Sequence, residues 1–175
     1  MLLIREEKTF DAKIILRSLL EHFVDLHNLA EDENYHLHFQ LPFLKGLKQT
    51  LREAQRGNPF FARIAREIPI TDELESDSAS LQEVKDLGAK DLKVWEKFNR
   101  AGLNAEYESL YRSLSKQVHP TYSGIIERHF CIDAESGDFS VHGFQQPSDS
   151  SNDTVIEITH ELVCNTGKIV ASFDA

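Results

Sequence analysis

The segment 107–121 brings together the side chains of this sequence that are best suited to chemistry. It reads Tyr-Glu-Ser-Leu-Tyr-Arg-Ser-Leu-Ser-Lys-Gln-Val-His-Pro-Thr. Arg112 and His119 are seven residues apart, and a helix turns by about 100° per residue, so both side chains lie on one face. Pro120 disfavours helix at the residue before it. The helix is therefore predicted to end near His119, where the helix dipole favours the charged imidazolium.

These side chains could form an acid–base site that acts on an anionic group. A histidine changes charge near neutral pH and can act as a general acid or base, while Arg112 could hold a phosphate or a developing negative charge. Ser115 and Tyr111 would position the substrate. The same residues also fit a structural role, in which His119 satisfies helix-end carbonyls and Ser115 donates to the carbonyl of Tyr111. The residue types leave open whether the chain is an enzyme.

A second helix, spanning about residues 9–32, is the best candidate to face this segment. Its apolar residues recur at steps of three and four, as in an amphipathic helix: Phe10, Ile14, Ile15, Leu16, Leu19, Leu20, Phe23, Leu26 and Leu29. Arg17 and Glu21 stand four residues apart near that stripe and can pair with each other. They form either an exposed surface ion pair or a buried polar pair that faces a site.

The remaining patterns predict a mainly α-helical fold. Further helices are expected over about 42–56, 59–67, 80–99, 105–118 and 153–172, with Pro42 in the first turn of its helix. The acidic, serine-containing residues 71–80 are predicted to form a mobile loop. Two short strands flank Gly137, which indicates a small β-hairpin near residues 129–142. We expect a bundle of about five to six helices that forms a single domain over residues 1–175.

Composition and charge limit the range of functions. The net charge of −10 argues against broad, non-specific nucleic-acid binding, which depends on neutralising phosphates. A local basic face nevertheless remains open, because six cations cluster with few acids between them: Lys45, Lys48, Arg52, Arg56, Arg63 and Arg66. The alternative is an ordinary solvated helix surface.

No segment of the sequence reads as a membrane span or a signal peptide. We therefore expect a cytoplasmic protein without a membrane partner. Cys131 and Cys164 lack a paired spacing and are expected to be reduced thiols. His36 and His38 lack further ligands at metal-binding spacing, and the chain has no glycine-rich phosphate loop. We expect no metal and no cofactor.

Two motifs resemble a widespread prokaryotic family of unknown function. The first is Tyr111-x3-Ser115-x3-His119-Pro-Thr, and the second is Arg17-x3-Glu21 on the early helix. The resemblance implies an all-helical fold. It also implies a site formed by these five side chains, Arg17, Glu21, Tyr111, Ser115 and His119, where the two helices pack together. Such relatives carry a further helix before the Arg-x3-Glu helix, so the chain is expected to be a shortened member.

More loosely, Arg112-x6-His119 is similar to the Arg-x4-6-His signature of HEPN domains. That resemblance implies a helical, dimeric protein, and active HEPN members cleave RNA without a metal by pairing the motif across the dimer. This sequence has Gln117 where those members commonly carry Asn or Asp two residues before the histidine.

Two hypotheses follow from these observations. In the first, a HEPN-like homodimer cleaves or binds RNA or a nucleotide, with His119 as the acid–base group and Arg112 as the charge stabiliser. Ser115 and Tyr111 then position the substrate, and Glu21 orients His119 or pairs with Arg17. In the second, the chain is a non-enzymatic helical interaction module. The same polar residues then form a buried network that fixes how two helices pack, and the sequence does not identify the protein partner.

Overall fold

The computed structural model describes residues 9–118, 122–132, 136–141 and 149–173. This part of the chain is mainly helical, which confirms the predicted fold class at that level. None of the helices described here has both the length and the apolar composition needed to cross a membrane. The number of helices in one bundle stays a prediction.

The described helices follow one another along the chain. They are α1 (Thr9–Glu31), α2 (His36–Gln55), α3 (Ala62–Glu67), α4 (Ile70–Asp86), α5 (Val94–Arg100), α6 (Asn104–Glu106), α7 (Arg112–Val118), α8 (Tyr122–His129) and α9 (Asp149–Phe173). A 3-10 turn at Pro59–Phe61 leads into α3. A π-helical turn at Tyr107–Tyr111 joins α6 to α7. Residues 104–118 therefore form one continuous helical segment, which we call the focal helix.

Two three-residue strands follow α8. They are β1 (Phe130–Ile132) and β2 (Phe139–Val141), and they pair antiparallel with Phe130 opposite Val141. Residues 133–135 and 142 lie outside the described part of the chain. The complete hairpin over 129–142 therefore stays a prediction.

The chain divides into two compact units. The first contains Met1–Ala30 and Val94–Ala175, and the second contains Glu31–Lys93. The expectation of a single domain over residues 1–175 stays a prediction.

The first unit is built around the apolar face of α1. Its buried core combines residues from α1, α5, the focal helix and α9: Leu16, Leu20, Val24, Phe98, Tyr111, Leu114, Val155 and Leu162. Polar contacts tie α1 to α5 at one end of this core. Asn28, which is 3% exposed, donates to the carbonyl of Lys97 at 2.9 Å, and the Lys97 ammonium pairs with Asp25 at 2.9 Å.

A tight turn at Gly102 sets the direction of the focal helix. The Leu103 N–H donates to the Phe98 carbonyl at 2.9 Å, and the Gly102 N–H donates to the Asn99 carbonyl at 3.2 Å. These two bonds form a Schellman cap, which needs a left-handed residue, and Gly102 has φ of +71°. Gly102 thus ends the helical segment that contains α5, and the chain turns so that the Phe98 ring contacts Tyr107 and Tyr111 of the focal helix.

The second unit packs α2 against α4, and here two sequence predictions are wrong. Residues 71–80 belong to α4 instead of a mobile loop. The helix expected over 80–99 does not exist as one element, because α4 ends at Asp86 and α5 begins at Val94. Packing explains the difference, since the apolar face of α4 contributes Val84 to a small core with Leu37 and Leu41 of α2. Acidic residues in the first turn of α4 also stabilise this helix, because negative charge interacts favourably with the N-terminal end of the helix dipole.

The prediction that Pro42 opens its helix is also wrong. Helix α2 begins at His36, and Pro42 lies inside it. Proline within a helix removes one hydrogen bond and costs about 3 kcal/mol. Burial of Tyr35, Leu37 and Leu41, which are 0%, 8% and 4% exposed, holds the turns before the proline in place.

Candidate functional site

Helix α1 brings Arg17 and Glu21 to the edge of the core. Their neighbours Leu16 and Leu20 are 1% and 2% exposed, so the following residue in each case lies beside the core. The Arg17 side chain is 22% exposed and the Glu21 side chain is 33% exposed. The pair is thus intermediate between the surface pair and the buried pair that the sequence allowed.

The focal helix presents Tyr111 from the opposite side. Its ring is buried and lies 5.2 Å from the ring of Phe98, measured between centroids. It also stacks on Tyr107, with the centroids 5.5 Å apart and the planes 15° from parallel. Both tyrosines belong to the π-helical turn, a widened helical turn that is frequent at functional sites. The rings of Phe98 and Tyr107 hold the Tyr111 ring in one orientation, with its hydroxyl directed toward α1.

The hydroxyl of Tyr111 closes a triangle with the ion pair on α1. It accepts a hydrogen bond from Arg17 Nη2 at 2.9 Å and donates one to Glu21 Oε1 at 2.9 Å. The same Nη2 and Oε1 atoms are 3.0 Å apart. Each of the three groups therefore contacts the other two. We call this set the Tyr111 network.

The pKa values of two members reflect these contacts. Burial is the largest influence on Tyr111 and raises the pKa of its phenol, and the hydrogen bond to Glu21 adds to that rise against an opposing effect of Arg17. Burial lowers the pKa of Arg17, but the hydrogen bond to Tyr111 and the charge of Glu21 together raise it. At neutral pH the network thus contains a neutral phenol between a cation and a carboxylate.

Arg17 has one donor that the network does not use. Its Nε atom is buried and has no hydrogen-bond partner within the described residues. Its guanidinium carbon also lies 5.3 Å from the centroid of the Tyr111 ring, a distance suited to a cation–π contact. A buried donor without an acceptor costs about 1–3 kcal/mol.

Arg112 belongs to a different face of the focal helix. Its side chain is 56% exposed and pairs with Glu108 one turn earlier. The hydrogen bond to Glu108 and the charge of that carboxylate raise the pKa of Arg112. The guanidinium is thus a permanent cation at the surface, separate from the Tyr111 network.

An open cleft surrounds Arg112. It has a volume of about 430 Å³ and is lined by Trp95, Asn104, Tyr107, Glu108 and Arg112. Trp95 lies within the helix expected over 80–99, and the sequence analysis gave it no functional role, yet its side chain is 49% exposed. A signal was present, because Val94 and Phe98 are spaced four apart on the core side of α5, which leaves Trp95 about 100° from Val94 and about 60° from Phe98.

The structure brings together three of the six residues that the sequence singled out. Arg17, Glu21 and Tyr111 form the network. Ser115 is partly buried one turn after Tyr111 and makes no hydrogen bond with a described residue. His119 lies outside the described part of the chain. Catalytic roles for these residues stay predictions.

Residues 9–118 and the later described ranges contain no cluster of metal-ligating side chains. No group of three or more His, Cys, Asp or Glu side chains there could hold a metal ion.

The fold and this network define a mainly helical protein in which a polar triangle joins α1 to a late helix carrying a π turn. Residues 1–138 match a family of unknown function, DUF5677, and the chain belongs to that family. This confirms the prediction of an uncharacterised helical family. No curated protein and no solved structure shows significant similarity to the chain.

A double-mutant cycle tests whether the triangle acts as one unit. Tyr111→Phe should lower the free energy of unfolding by about 1–3 kcal/mol, because it leaves Arg17 and Glu21 without the hydroxyl that each contacts. Glu21→Gln should destabilise as well, and the two effects should be non-additive by about 0.5 kcal/mol or more. Urea-induced unfolding of the two single variants and the double variant measures the coupling.

Tyr107→Phe is the matched control, since its hydroxyl makes no hydrogen bond with a described residue. It should change the free energy of unfolding by less than about 0.5 kcal/mol. Additive effects of the Tyr111 and Glu21 substitutions would show that the triangle is not a coupled unit.

Proposed function

We propose that the chain is a HEPN-like helical domain that binds RNA or a nucleotide at the cleft around Arg112. The observation that carries the proposal is the position of Arg112, whose exposed guanidinium shares that cleft with Trp95 and Tyr107. A cation beside exposed aromatic rings is the combination that holds a phosphate and stacks a base.

Each lining residue has a part in this proposal. The half-exposed Trp95 ring offers a stacking surface, and stacking of one base on an aromatic ring contributes about 1–3 kcal/mol. Asn104 can donate to and accept from a base edge, because its amide carries both kinds of group. Arg112 binds the phosphate through its planar set of donors. The ligand must compete with the Glu108 carboxylate for this guanidinium. A phosphate that carries more than one negative charge is therefore favoured over one that carries a single charge.

Net charge restricts the ligand to a short one. A chain with a charge of −10 repels a long phosphate backbone, whose binding depends on several cations acting together. The proposal is therefore recognition of one or a few nucleotides at a defined cleft. A volume of about 430 Å³ suits such a ligand, because small-molecule sites span roughly 300–1,000 Å³.

The proposal includes catalysis by His119. Its imidazole takes the proton of a ribose 2′-hydroxyl, whose oxygen attacks the adjacent phosphorus while the bond from phosphorus to the 5′-oxygen breaks. The products are a 2′,3′-cyclic phosphate and a 5′-hydroxyl, which receives its proton from the imidazolium, and Arg112 stabilises the negative charge that develops on the phosphate oxygens. The sequence motif assigns substrate positioning to Ser115 and Tyr111. Because Arg17 and Glu21 hold the Tyr111 hydroxyl, Tyr111 acts on the cleft through Tyr107, on which its ring stacks. The resemblance to HEPN domains supports these roles, and it also supports a homodimer in which two copies of the Arg-x6-His motif meet.

A second candidate is the non-enzymatic interaction module. The closure of the Tyr111 network favours it, because Arg17 Nη2, Glu21 Oε1 and the Tyr111 hydroxyl pair with one another without a ligand. Here these residues fix the packing of α1 on the focal helix, and the chain acts by presenting that surface to a protein partner. The two candidates differ in whether the cleft around Arg112 binds a ligand.

Trp95 is the single tryptophan of the chain, so intrinsic fluorescence reports on this cleft. Adenosine monophosphate or a short single-stranded RNA should quench it saturably, because a stacked base contacts the indole. Arg112→Gln should weaken the apparent affinity by about tenfold or more, as expected for loss of a charge-assisted hydrogen bond.

Arg63→Gln is the matched control, because Arg63 is also an exposed helical arginine paired with a glutamate four residues away. The affinity of the Arg63→Gln variant for adenosine monophosphate and for the short RNA should equal that of the unchanged protein. Absence of quenching by both ligands, or equal weakening by the two substitutions, would remove the nucleotide proposal and favour the interaction module.

The catalytic part has its own test. His119→Ala should abolish cleavage of single-stranded RNA while the melting temperature changes little, because an acid–base group contributes to rate more than to stability. Gel analysis of RNA products and a thermal melt measure the two quantities. If the unchanged protein cuts no RNA and the variant unfolds, His119 is structural and the enzyme proposal fails.

A further inference from the structure

The basic cluster of the second unit contains two cations that differ from the rest. Salt bridges neutralise three of its six members: Lys45 with Asp91 at 2.7 Å, Arg56 with Glu53 at 2.9 Å and Arg63 with Glu67 at 2.9 Å. Arg66 donates to a helix carbonyl at 3.2 Å. Lys48 and Arg52, like Arg66, have no carboxylate partner within the described residues, but unlike Arg66 they line one cleft.

These two cations point into one cleft between α2 and α4. It has a volume of about 400 Å³, and both residues line it. They stand four residues apart, which separates them by about 6 Å along the helix axis and places them on one face. Two like charges at this spacing repel each other. An anion bound between them relieves that repulsion, so the cleft has a built-in preference for negative charge.

Hydrogen-bonding groups from both helices line the cleft together with Leu74. Lys48 donates to the hydroxyl of Ser78 at 2.6 Å, which ties the ammonium to α4. Gln55 and Thr71 add an amide and a second hydroxyl. A phosphate has several acceptor oxygens in a tetrahedral arrangement, so donors placed around it suit it better than they suit a planar carboxylate.

Glu75 gives the cleft a second recognition element. It lines the same space, and within the described residues it has no partner of its own. An ionised carboxylate only accepts hydrogen bonds, so it requires donors from the ligand. Glu75 also repels a ligand that is anionic throughout. The ligand should therefore carry a phosphate at one end and hydroxyl groups at the other.

We propose that this cleft binds a small sugar phosphate, with Lys48 and Arg52 on the phosphate and Glu75 on the sugar hydroxyls. The site is separate from the cleft around Arg112 and does not depend on the nucleotide proposal. The volume of about 400 Å³ falls in the range of small-molecule sites. The net charge of −10 favours a compact ligand over a long polyanion.

Ribose 5-phosphate is the probe for this site. Isothermal titration calorimetry should detect saturable binding, and NMR shifts of backbone amides should locate it at residues 48–55 and 71–78. Ribose without phosphate should not bind measurably. Arg52→Gln and Lys48→Gln should each weaken binding by about tenfold or more, because each removes a charge-assisted contact.

Two further variants separate this site from general attraction to positive charge. Arg63→Gln removes a cation of the same cluster that does not line the cleft, and it should leave the affinity unchanged. Glu75→Gln should weaken the binding of ribose 5-phosphate but leave the binding of inorganic phosphate undiminished, because only the sugar hydroxyls contact that carboxylate. Thermal melts of all variants should match the unchanged protein, since the substituted residues are at the surface of the unit.

Three results would overturn the proposal. The first is unchanged binding by both Arg52→Gln and Lys48→Gln. The second is equal weakening by Arg63→Gln, which would mean that only bulk charge matters. The third is binding of 5′-phosphorylated RNA without any binding of ribose 5-phosphate, which would assign the cleft to RNA ends.

Discussion

The hydroxyl of Tyr111, held between Arg17 and Glu21, is the interaction on which the first unit depends. The ring of Tyr111 is buried in the core, so its polar atom must find partners there. Arg17 and Glu21 supply both a donor and an acceptor within 2.9 Å. They can do so only in one register of α1 against the focal helix. The network therefore converts apolar packing, which tolerates sliding, into a specific alignment.

That alignment extends from the network to the cleft through Tyr107. This tyrosine stacks on Tyr111 with nearly parallel planes, and it also lines the space around Arg112. The π-helical turn contains both rings, so one local distortion of the helix serves the core and the cleft together. A ligand that contacts Tyr107 would thus be coupled to the packing of α1 by a direct ring contact.

The sequence predicted those features that depend on periodicity and spacing. Helix α1 follows from its apolar stripe, and the resemblance of two motifs to a helical family implied that Arg17, Glu21 and Tyr111 meet. The errors came where tertiary contacts override local composition. Residues 71–80 look like a loop because they are acidic, yet packing on α2 makes them helical, and buried neighbours retain Pro42 inside a helix. The cleft around Arg112 could not be derived, since its residues come from two elements whose relative position depends on the Gly102 turn.

Hydrogen exchange of backbone amides in Tyr111→Phe most directly tests the claim that the network holds α1 on the focal helix. Exchange reports local opening, so loss of one tie should raise it where that tie acts. The account predicts faster exchange in Thr9–Glu31 and residues 104–118, with unchanged exchange in His36–Gln55. Unchanged exchange in both helices, or an equal increase in all three segments, would contradict it.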